Sequence, residues 1–398
     1  MGIALAADTP ATPDAYISFQ DAVTDGKAQL DLRYRFEAVD QKPFTNDAAA
    51  STLRSRLNYE TGEWQGLSAF FEVDNITVIG NEDNYNSTTN GVTDRPTVAD
   101  PESTEVNQAY LQYRAGSIAG LLGRQRILLD DQRFIANVGW RQNEQTYDAL
   151  TFKTGALPRT QLQYSYLENV NRVTGPDDGA QPANYRSNSH VLNSKVELGE
   201  VGTLTGFTYL LDLENAPSLS SSTYGLRWAG EYRYSDATKA NWTASYARQR
   251  DYADNPNDYS TDYYLLEAGA KFGKFGVKAG YEVLGGDTVP NHPFQTPLAT
   301  LHVFEGWADK FLTTPSAGIE DFYLGVSANL GALTLQLVWH DFRAEAASID
   351  YGTEWNASAA YKFGAKGNYE VLLKFADYQA ADFATDTTKA WVQVSAAF

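Results

Sequence analysis

The sequence predicts an all-β protein, a transmembrane antiparallel β-barrel of about 18 strands with short periplasmic turns and long extracellular loops. Three observations predict it. Apolar and polar residues alternate from residue 28 to residue 398. The alternating segments are near the roughly 9–11 residues that a tilted strand needs to cross a bilayer. Short connections also alternate with long ones, which a water-soluble sandwich has no reason to maintain along a whole chain.

The composition fits this class and argues against others. The 398 residues include 25 Tyr, 19 Phe and 8 Trp, and no Cys. No run of about 18 apolar residues is present, so no transmembrane helix is expected. A spanning sheet must then be closed, because an unpaired backbone group in hydrocarbon costs several kcal/mol. The net charge of −19 argues against nucleic acid as a partner, since phosphate binding needs a basic face.

The first residues indicate export. Residues 1–26 are predicted to be a signal-peptide remnant and a periplasmic lead, and residues 27–398 a single transmembrane barrel. Ala4, Leu5 and Ala6 form a small-residue pattern before Asp8 that is typical of the tail of a secretory signal. A short helix is expected near Tyr16–Val23. The predicted location is the bacterial outer membrane.

Period-two alternation defines the strands and their faces. In residues 28–38 the two faces are Leu30, Leu32, Tyr34 and Phe36 against Asp31, Arg33, Arg35 and Glu37. The pattern recurs at 53–60, 67–73, 224–234, 354–363 and 389–398. Successive side chains of a strand point to opposite faces. We therefore expect the apolar face to meet lipid and the polar face to line the lumen.

The connections separate into two rims. Short ones are predicted near 61–64, 115–118, 154–159, 198–203, 235–239, 272–275, 330–332 and 363–367, and the largest long ones at 75–104, 170–188 and 285–318. Trp64, Trp228, Trp242, Trp339, Trp355 and Trp391 are expected in the interfacial girdles.

Arginines dominate the predicted lumen face of strands one, two and five. They are Arg33, Arg35, Arg54, Arg56, Arg124 and Arg126, with Arg114 and Arg227 expected to join them. A low-dielectric wall focuses the field of such a row and concentrates anions. The alternative is that these arginines pair with lumen carboxylates and only hold the wall in shape. We favour the first interpretation because arginines outnumber acids on strands two and five.

Catalytic and metal chemistry have little support. The four histidines are scattered, and Ser189 and His190 point to opposite faces of one strand, so they form no nucleophile–base pair. No metal-ligand spacing occurs, and no cofactor is predicted. Acidic residues such as Asp94, Asp100 and Asp177 are interpreted as parts of solvated loops.

Four segments carry a resemblance to a known family. They are LDLRYRFEAVDQ (30–41), STLRSRLNYETG (51–62), NQAYLQY (107–113) and GRQRILLDDQRFIANVGWRQNEQTYDAL (123–150). They resemble the alginate-export family of bacterial outer-membrane β-barrels. The resemblance implies a monomeric, eighteen-stranded barrel whose arginine-lined lumen passes an anionic polysaccharide or smaller organic anions. It makes Arg35, Arg54, Arg56, Arg124 and Arg126 ligand-path residues, with Arg133 and Arg141 in or beside a loop that folds inward.

One departure from the family affects the functional prediction. Alginate exporters are expected to carry a longer periplasmic loop late in the chain, whereas the turn at 363–367 is minimal. We therefore predict a non-enzymatic channel for passive diffusion of acidic sugars, uronate oligosaccharides or other organic anions. Its expected surroundings are outer-membrane lipid and lipopolysaccharide. The alternatives are a secretion pore for an anionic exopolysaccharide such as alginate, working with periplasmic partners, and a non-conducting structural barrel.

Overall fold

The computed structural model describes residues 18–286 and 292–398. In these ranges the chain forms one sheet of 18 antiparallel strands. Strand β1 pairs with both β2 and β18, so the sheet closes on itself and has no free edge. The predicted fold class is confirmed. Within the same ranges, no helix is long and apolar enough to cross a membrane.

A single short helix precedes the barrel in the described residues. Helix α1 (Phe19–Thr24) is capped by Ser18, whose hydroxyl accepts from the Asp21 backbone N–H. Its end is tied to the barrel by a bond from Gly62 N to the Ala22 carbonyl of 2.8 Å. The helix overlaps the one expected near Tyr16–Val23, while the proposed signal tail lies outside the described residues.

The strands follow in chain order. They are β1 (Lys27–Gln41), β2 (Ala48–Glu60), β3 (Leu67–Val78), β4 (Ser103–Ala115), β5 (Ile118–Gln125), β6 (Thr146–Thr154), β7 (Thr160–Asn171), β8 (Asn184–Glu197), β9 (Thr203–Leu211), β10 (Ser221–Ser235), β11 (Thr238–Asp251), β12 (Ser260–Phe272), β13 (Phe275–Leu284), β14 (Ile319–Leu330), β15 (Leu333–Arg343), β16 (Asp350–Phe363), β17 (Tyr369–Ala380) and β18 (Thr387–Ala397). Short 3₁₀ helices lie at Glu82–Asn84, Gly199–Val201, Pro217–Leu219 and Leu301–Val303.

Short and long connections alternate around the barrel as predicted. Each even-numbered strand from β2 to β16 is joined to the next strand by a turn of two to six residues, and each odd-numbered strand by a loop of six residues or more. Strand β1 begins, and strand β18 ends, at the short-turn rim. In an outer-membrane barrel the short turns face the periplasm and the long loops face outside.

The two faces of the sheet also follow the predicted alternation. Outward-facing Leu57, Leu122 and Leu266 are 57%, 61% and 63% exposed, whereas inward-facing Arg35 is 1% exposed. Exposed apolar side chains on the outer face suit contact with lipid. The expectation for Trp391 was wrong. It is 1% exposed and lies on the inner face of β18, because its strand neighbours Ala390 and Val392 take the outward positions.

Loops occupy much of the barrel interior. Ile127 and Ile135 of the β5–β6 loop, and Leu298 and Phe311 of the β13–β14 loop, are buried in one apolar cluster with inward-facing wall residues such as Tyr263. We call residues 126–145 the inner loop and residues 292–318 the upper loop. Together they narrow a lumen that strand number alone would leave wide.

Candidate functional site

The inner loop extends from the end of β5 into the lumen and contacts wall strands β8 and β10. Asp130 accepts a hydrogen bond of 2.7 Å from Asn193 on β8 and pairs with Lys195 at 3.1 Å. Asp131 accepts from Arg227 on β10 at 3.0 Å. Arg227 therefore faces the lumen, as expected, but it serves to anchor the loop.

Arg133 joins the inner loop to the upper loop and to the wall. Its Nε donates to Glu282 on β13 and its Nη2 to Glu305 of the upper loop, each at 2.7 Å. Burial lowers the pKa of Arg133, but the two carboxylates outweigh this effect and raise it overall. Arg133 is thus a buried structural cation, not a free guanidinium.

Arg56 and Arg126 are neutralised by a shared set of carboxylates. Arg56 donates to Asp74 at 2.7 Å and lies 2.9 Å from Glu144 of the inner loop. Arg126 donates to the same Glu144 at 2.6 Å and also to Glu72. Burial raises the pKa of Glu144, but the two guanidinium groups lower it overall to about 2. This cluster fixes the return of the inner loop to the wall.

Arg35 and Arg141 have carboxylate partners as well. Arg141 donates to Glu37 at 3.0 Å and to Asp309 of the upper loop at 3.2 Å. Arg35 lies 3.5 Å from Asp100, and its guanidinium carbon sits 4.0 Å above the Trp140 ring. Asp100 is 1% exposed, so the expectation of a solvated loop position for this residue was wrong.

Arg33 and Arg54 are the exceptions among the inward-facing arginines of β1 and β2. They lie directly opposite each other, and no carboxylate of the described ranges is within ion-pair distance of either. Arg33 donates to the Gln142 side chain at 2.9 Å and to the Gly139 carbonyl at 3.0 Å. Arg54 is 9% exposed, and its buried Nε has no hydrogen-bond partner in residues 18–286 and 292–398.

Arg124 does not face the lumen, which corrects the expectation from its spacing to Arg126. It pairs with Asp148, and the next outward positions on the same strands, Leu122 and Leu150, continue the lipid-facing side. Arg124 Nε donates to Asp148 at 2.7 Å. Strand β5 ends at Gln125, so Arg126 belongs to the inner loop and turns inward independently of strand alternation.

Lys374 on β17 lies where both loops meet the wall. Its ammonium nitrogen is 3.9 Å from the ring centroids of Trp140 and Trp307 and 2.6 Å from His302 Nε2. His302 stacks on Trp140 with centroids 4.5 Å apart. Burial lowers the pKa of His302 to about 3, helped by Lys374, so the imidazole is neutral and can accept from this lysine.

A cavity of about 830 Å³ opens above these contacts at the long-loop rim. We call it the vestibule. Among the described residues, four of its lining side chains are cationic and one is a carboxylate: Arg141, Arg172, Lys310 and Lys389 against Asp309. Burial, with Lys389 nearby, lowers the pKa of Lys310 to about 8. Arg172 donates to the Pro182 carbonyl and the Gln181 side chain rather than to a carboxylate.

Arg141 of the vestibule was among the site residues predicted from the sequence, but the other three cations of the lining were missed. Arg172, Lys310 and Lys389 lie in or near long connections, where no periodicity fixes the direction of a side chain. The inward-facing position of Lys389 was visible from the alternation of β18, but its meeting with Asp309 depends on the path of the upper loop.

Comparisons with known proteins agree with this architecture. The family model for alginate export matches residues 26–389. OccAB2 of Acinetobacter baumannii is 14% identical with a TM-score of 0.74, covering 95% of this chain and 99% of that chain. OpdQ of Pseudomonas aeruginosa is 15% identical with a TM-score of 0.69, covering 94% and 99%.

OpdG (OccK9) of Pseudomonas aeruginosa is 13% identical with a TM-score of 0.73, covering 95% of this chain and 99% of that chain. At these identities the likeness shows the shared barrel fold. Comparison with curated protein sequences finds no match. The family match spans most of the chain and confirms the resemblance and the predicted location: the chain belongs to the alginate export family, as a porin-type β-barrel of the bacterial outer membrane.

Proposed function

We propose that the protein is a passive outer-membrane channel that admits small organic anions, such as acidic sugars, through the vestibule. The observation that carries this proposal is the charge of the vestibule lining, which among the described residues holds four cationic side chains and one carboxylate. The whole chain has a net charge of −19, so the positive charge of the lining is opposite to the net charge of the protein. A basic cavity with low-dielectric walls raises the local concentration of anions.

Further cations lie along the wall below the vestibule. Lys374, Arg33 and Arg54 have no carboxylate within ion-pair distance among the described residues. A permeating anion could exchange one such cation for the next without breaking an existing ion pair. Of the arginines expected on the ligand path, Arg33 and Arg54 keep this proposed role on the wall, and Arg141 keeps one in the vestibule lining. The others are Arg35, Arg56, Arg126 and Arg133, which bind carboxylates outside the vestibule lining, and Arg124, which faces outward.

The dimensions support a small solute. A cavity of about 830 Å³ is in the range of ordinary small-molecule sites, roughly 300–1,000 Å³. Both loops are anchored to the wall at several points, which suits sieving of monomers or short oligomers. We propose a monomeric channel, because the vestibule and the cations below it all come from one chain.

Secretion of an anionic polysaccharide is the second candidate, and the family description favours it. An extended polymer would require the inner and upper loops to leave the lumen. We propose that periplasmic partners would have to bring about this displacement if the protein is an exporter.

Reversal potentials test the channel proposal. The purified protein is placed in a planar bilayer under a potassium chloride gradient, and we expect chloride to permeate better than potassium. Proteoliposome swelling then compares D-galacturonate with neutral D-galactose, and we expect faster swelling with the acid. Equal rates together with cation preference would contradict the proposal, and absence of any current would favour a structural barrel.

A further inference from the structure

The carboxylate of Asp309 occupies a position on the vestibule wall where three donors converge. Its Oδ2 accepts from Lys389 Nζ at 2.8 Å and from Arg141 Nη2 at 3.2 Å, and its Oδ1 accepts from His302 Nδ1 at 2.7 Å. All four residues line the cavity. Convergent donors of this kind, two of them cationic, are the arrangement that proteins use to bind a carboxylate group.

Asp309 reaches this position on a turn with an unusual backbone. Glu305, Gly306 and Asp309 have φ of 56°, 84° and 59°, in the left-handed region that costs a non-glycine residue about 1 kcal/mol or more. The turn is held by Glu354 on β16, which accepts from Ala308 N at 2.9 Å. The carboxylate is thus supplied by a loop segment that is hydrogen-bonded to the wall, and not by the strand that carries Lys389.

Lys389 and Arg141 differ in the carboxylate partners that they would keep if Asp309 moved away. Arg141 keeps Glu37 at 3.0 Å, whereas Lys389 has no other carboxylate within ion-pair distance in the described residues. Lys310, the next residue along the upper loop, also lines the cavity, and in the described part of the chain its ammonium donates only to Thr387 at 2.8 Å. A small anion in the vestibule would therefore find its strongest unsatisfied donor at Lys389 once Asp309 moved.

We propose that Lys389 and Arg141 form the carboxylate-binding site of the vestibule, and that Asp309 fills this site until a solute carboxylate replaces it. This inference rests on the proposed channel function and names the site at which its solutes bind. Replacement exchanges one carboxylate for another on the same donors, so the site stays neutralised. The chemical class of ligand is a small monocarboxylate whose remaining groups fit beside Lys310.

Replacing the resident carboxylate by its neutral isostere tests the inference. Asp309→Asn is measured on the full chain in detergent by titration calorimetry with sodium D-galacturonate, and D-galactose serves as the uncharged probe. We expect galacturonate to bind at least about tenfold more tightly than to the wild type, within the usual size of coupling between competing ligands. Adding Lys389→Gln to the same chain should remove the gain, and galactose binding should not change.

Asp131→Asn is the matched control. Like Asp309→Asn it removes one loop carboxylate, here from the inner loop, and it frees the lumen guanidinium of Arg227, but Asp131 lies outside the vestibule lining. An equal gain in this variant would overturn the inference, because the effect would then be one of net charge. No gain in Asp309→Asn, or a gain that survives Lys389→Gln, would also overturn it.

A measurement on the unaltered protein covers the case in which Asp309→Asn does not fold. Displacing Asp309 should shift His302 against Trp140, so saturating galacturonate should change tryptophan fluorescence, and Lys389→Gln should abolish the change. Unchanged fluorescence at saturation would overturn the inference. The binding and fluorescence measurements do not depend on the reversal potential. Failure of the Asp309 inference can therefore be distinguished from failure of the proposed anion preference.

Discussion

Arg33 on β1 and Arg54 on β2 face each other directly across the strand pair, and neither guanidinium has a carboxylate partner among the described residues. Like charges opposite each other on adjacent strands are unfavourable. Arg33 is held by the inner loop through Gln142 and the Gly139 carbonyl, but Arg54 gains nothing comparable. The pair is therefore a feature that binding of an anion would stabilise.

Replacing Arg54 should reduce anion preference. Arg54→Ala removes an unpaired inward-facing cation, so we expect the chloride-to-potassium permeability ratio to fall by about twofold or more, as the local potential drops. Reversal potentials in planar bilayers measure this ratio. Arg124→Ala provides the matched control, because it removes an arginine from the outer face and should leave the ratio unchanged. A similar change in both variants would contradict the role of Arg54.

Lys374 should determine how tightly the two loops close the lumen. Its ammonium contacts Trp140 of the inner loop and Trp307 of the upper loop, each at 3.9 Å from the ring centroid. Lys374→Ala removes both cation–π contacts, and we expect larger and noisier single-channel currents. Lys374→Arg should restore part of the wild-type behaviour.

The control for this prediction is Lys362→Ala. Lys362 lies on the neighbouring strand β16, and it pairs with Glu370 without touching either loop. Its removal changes the charge of the barrel equally, so it should alter conductance little. If both lysine variants changed the current to the same extent, a charge effect would explain the result and the loop contacts would not.

Glu144 should be the main anchor of the returning inner loop. Glu144→Gln replaces the buried carboxylate that Arg56 and Arg126 share by a neutral amide. We expect the free energy of local loop opening to fall by about 3 kcal/mol. Hydrogen exchange of the amides of residues 137–145 measures this opening. Glu214→Gln breaks an exposed pair with Arg186 and should change local exchange by no more than about 0.5 kcal/mol. Unchanged protection of the loop in Glu144→Gln would disprove the anchor.

Mild acid should loosen the upper loop through His302. Its folded pKa of about 3 lies below the ordinary value of about 6.5, so the neutral form stabilises the folded loop. This contribution is complete above pH 6.5 and is lost as pH falls toward 3. We expect current noise to rise between pH 7 and 5 in the wild type and to stay level in His302→Gln. A rise of equal size in that variant would assign the effect to other groups.

Much of the barrel could be predicted because the two-residue alternation of apolar and polar side chains can be recognised within each strand. Alternation identified strands such as β1 and β18 and their lipid-facing sides, and it placed Arg33, Arg35, Arg54 and Arg56 correctly on the inner face. It failed for Arg124, where β5 ends one residue later and the spacing to Arg126 no longer defines a face. It was misapplied to Trp391, whose aromatic character suggested the girdle although its position in the alternation pointed inward.

The state of each lumen cation could not be predicted. Arg56 and Arg33 look alike in sequence, yet one binds three carboxylates and the other binds an amide and backbone carbonyls. The difference comes from the inner loop, which brings Glu144 to Arg56 and Gln142 to Arg33. Such long-range meetings depend on the path of an irregular segment, for which the sequence has no repeating signal.

The seam between β1 and β18 differs from the other strand junctions in what it requires of the polypeptide during assembly. Leu30 and Phe398 exchange backbone hydrogen bonds of 3.1 and 2.9 Å there, whereas the remaining neighbours are consecutive in the chain. Hairpins can form early and at a low cost in chain entropy, but this junction pairs residues that are 346 to 366 positions apart. The barrel can therefore close only after β18 has been inserted. An intermediate without β18 would expose two sheet edges, with unpaired backbone N–H and C=O groups, to the bilayer.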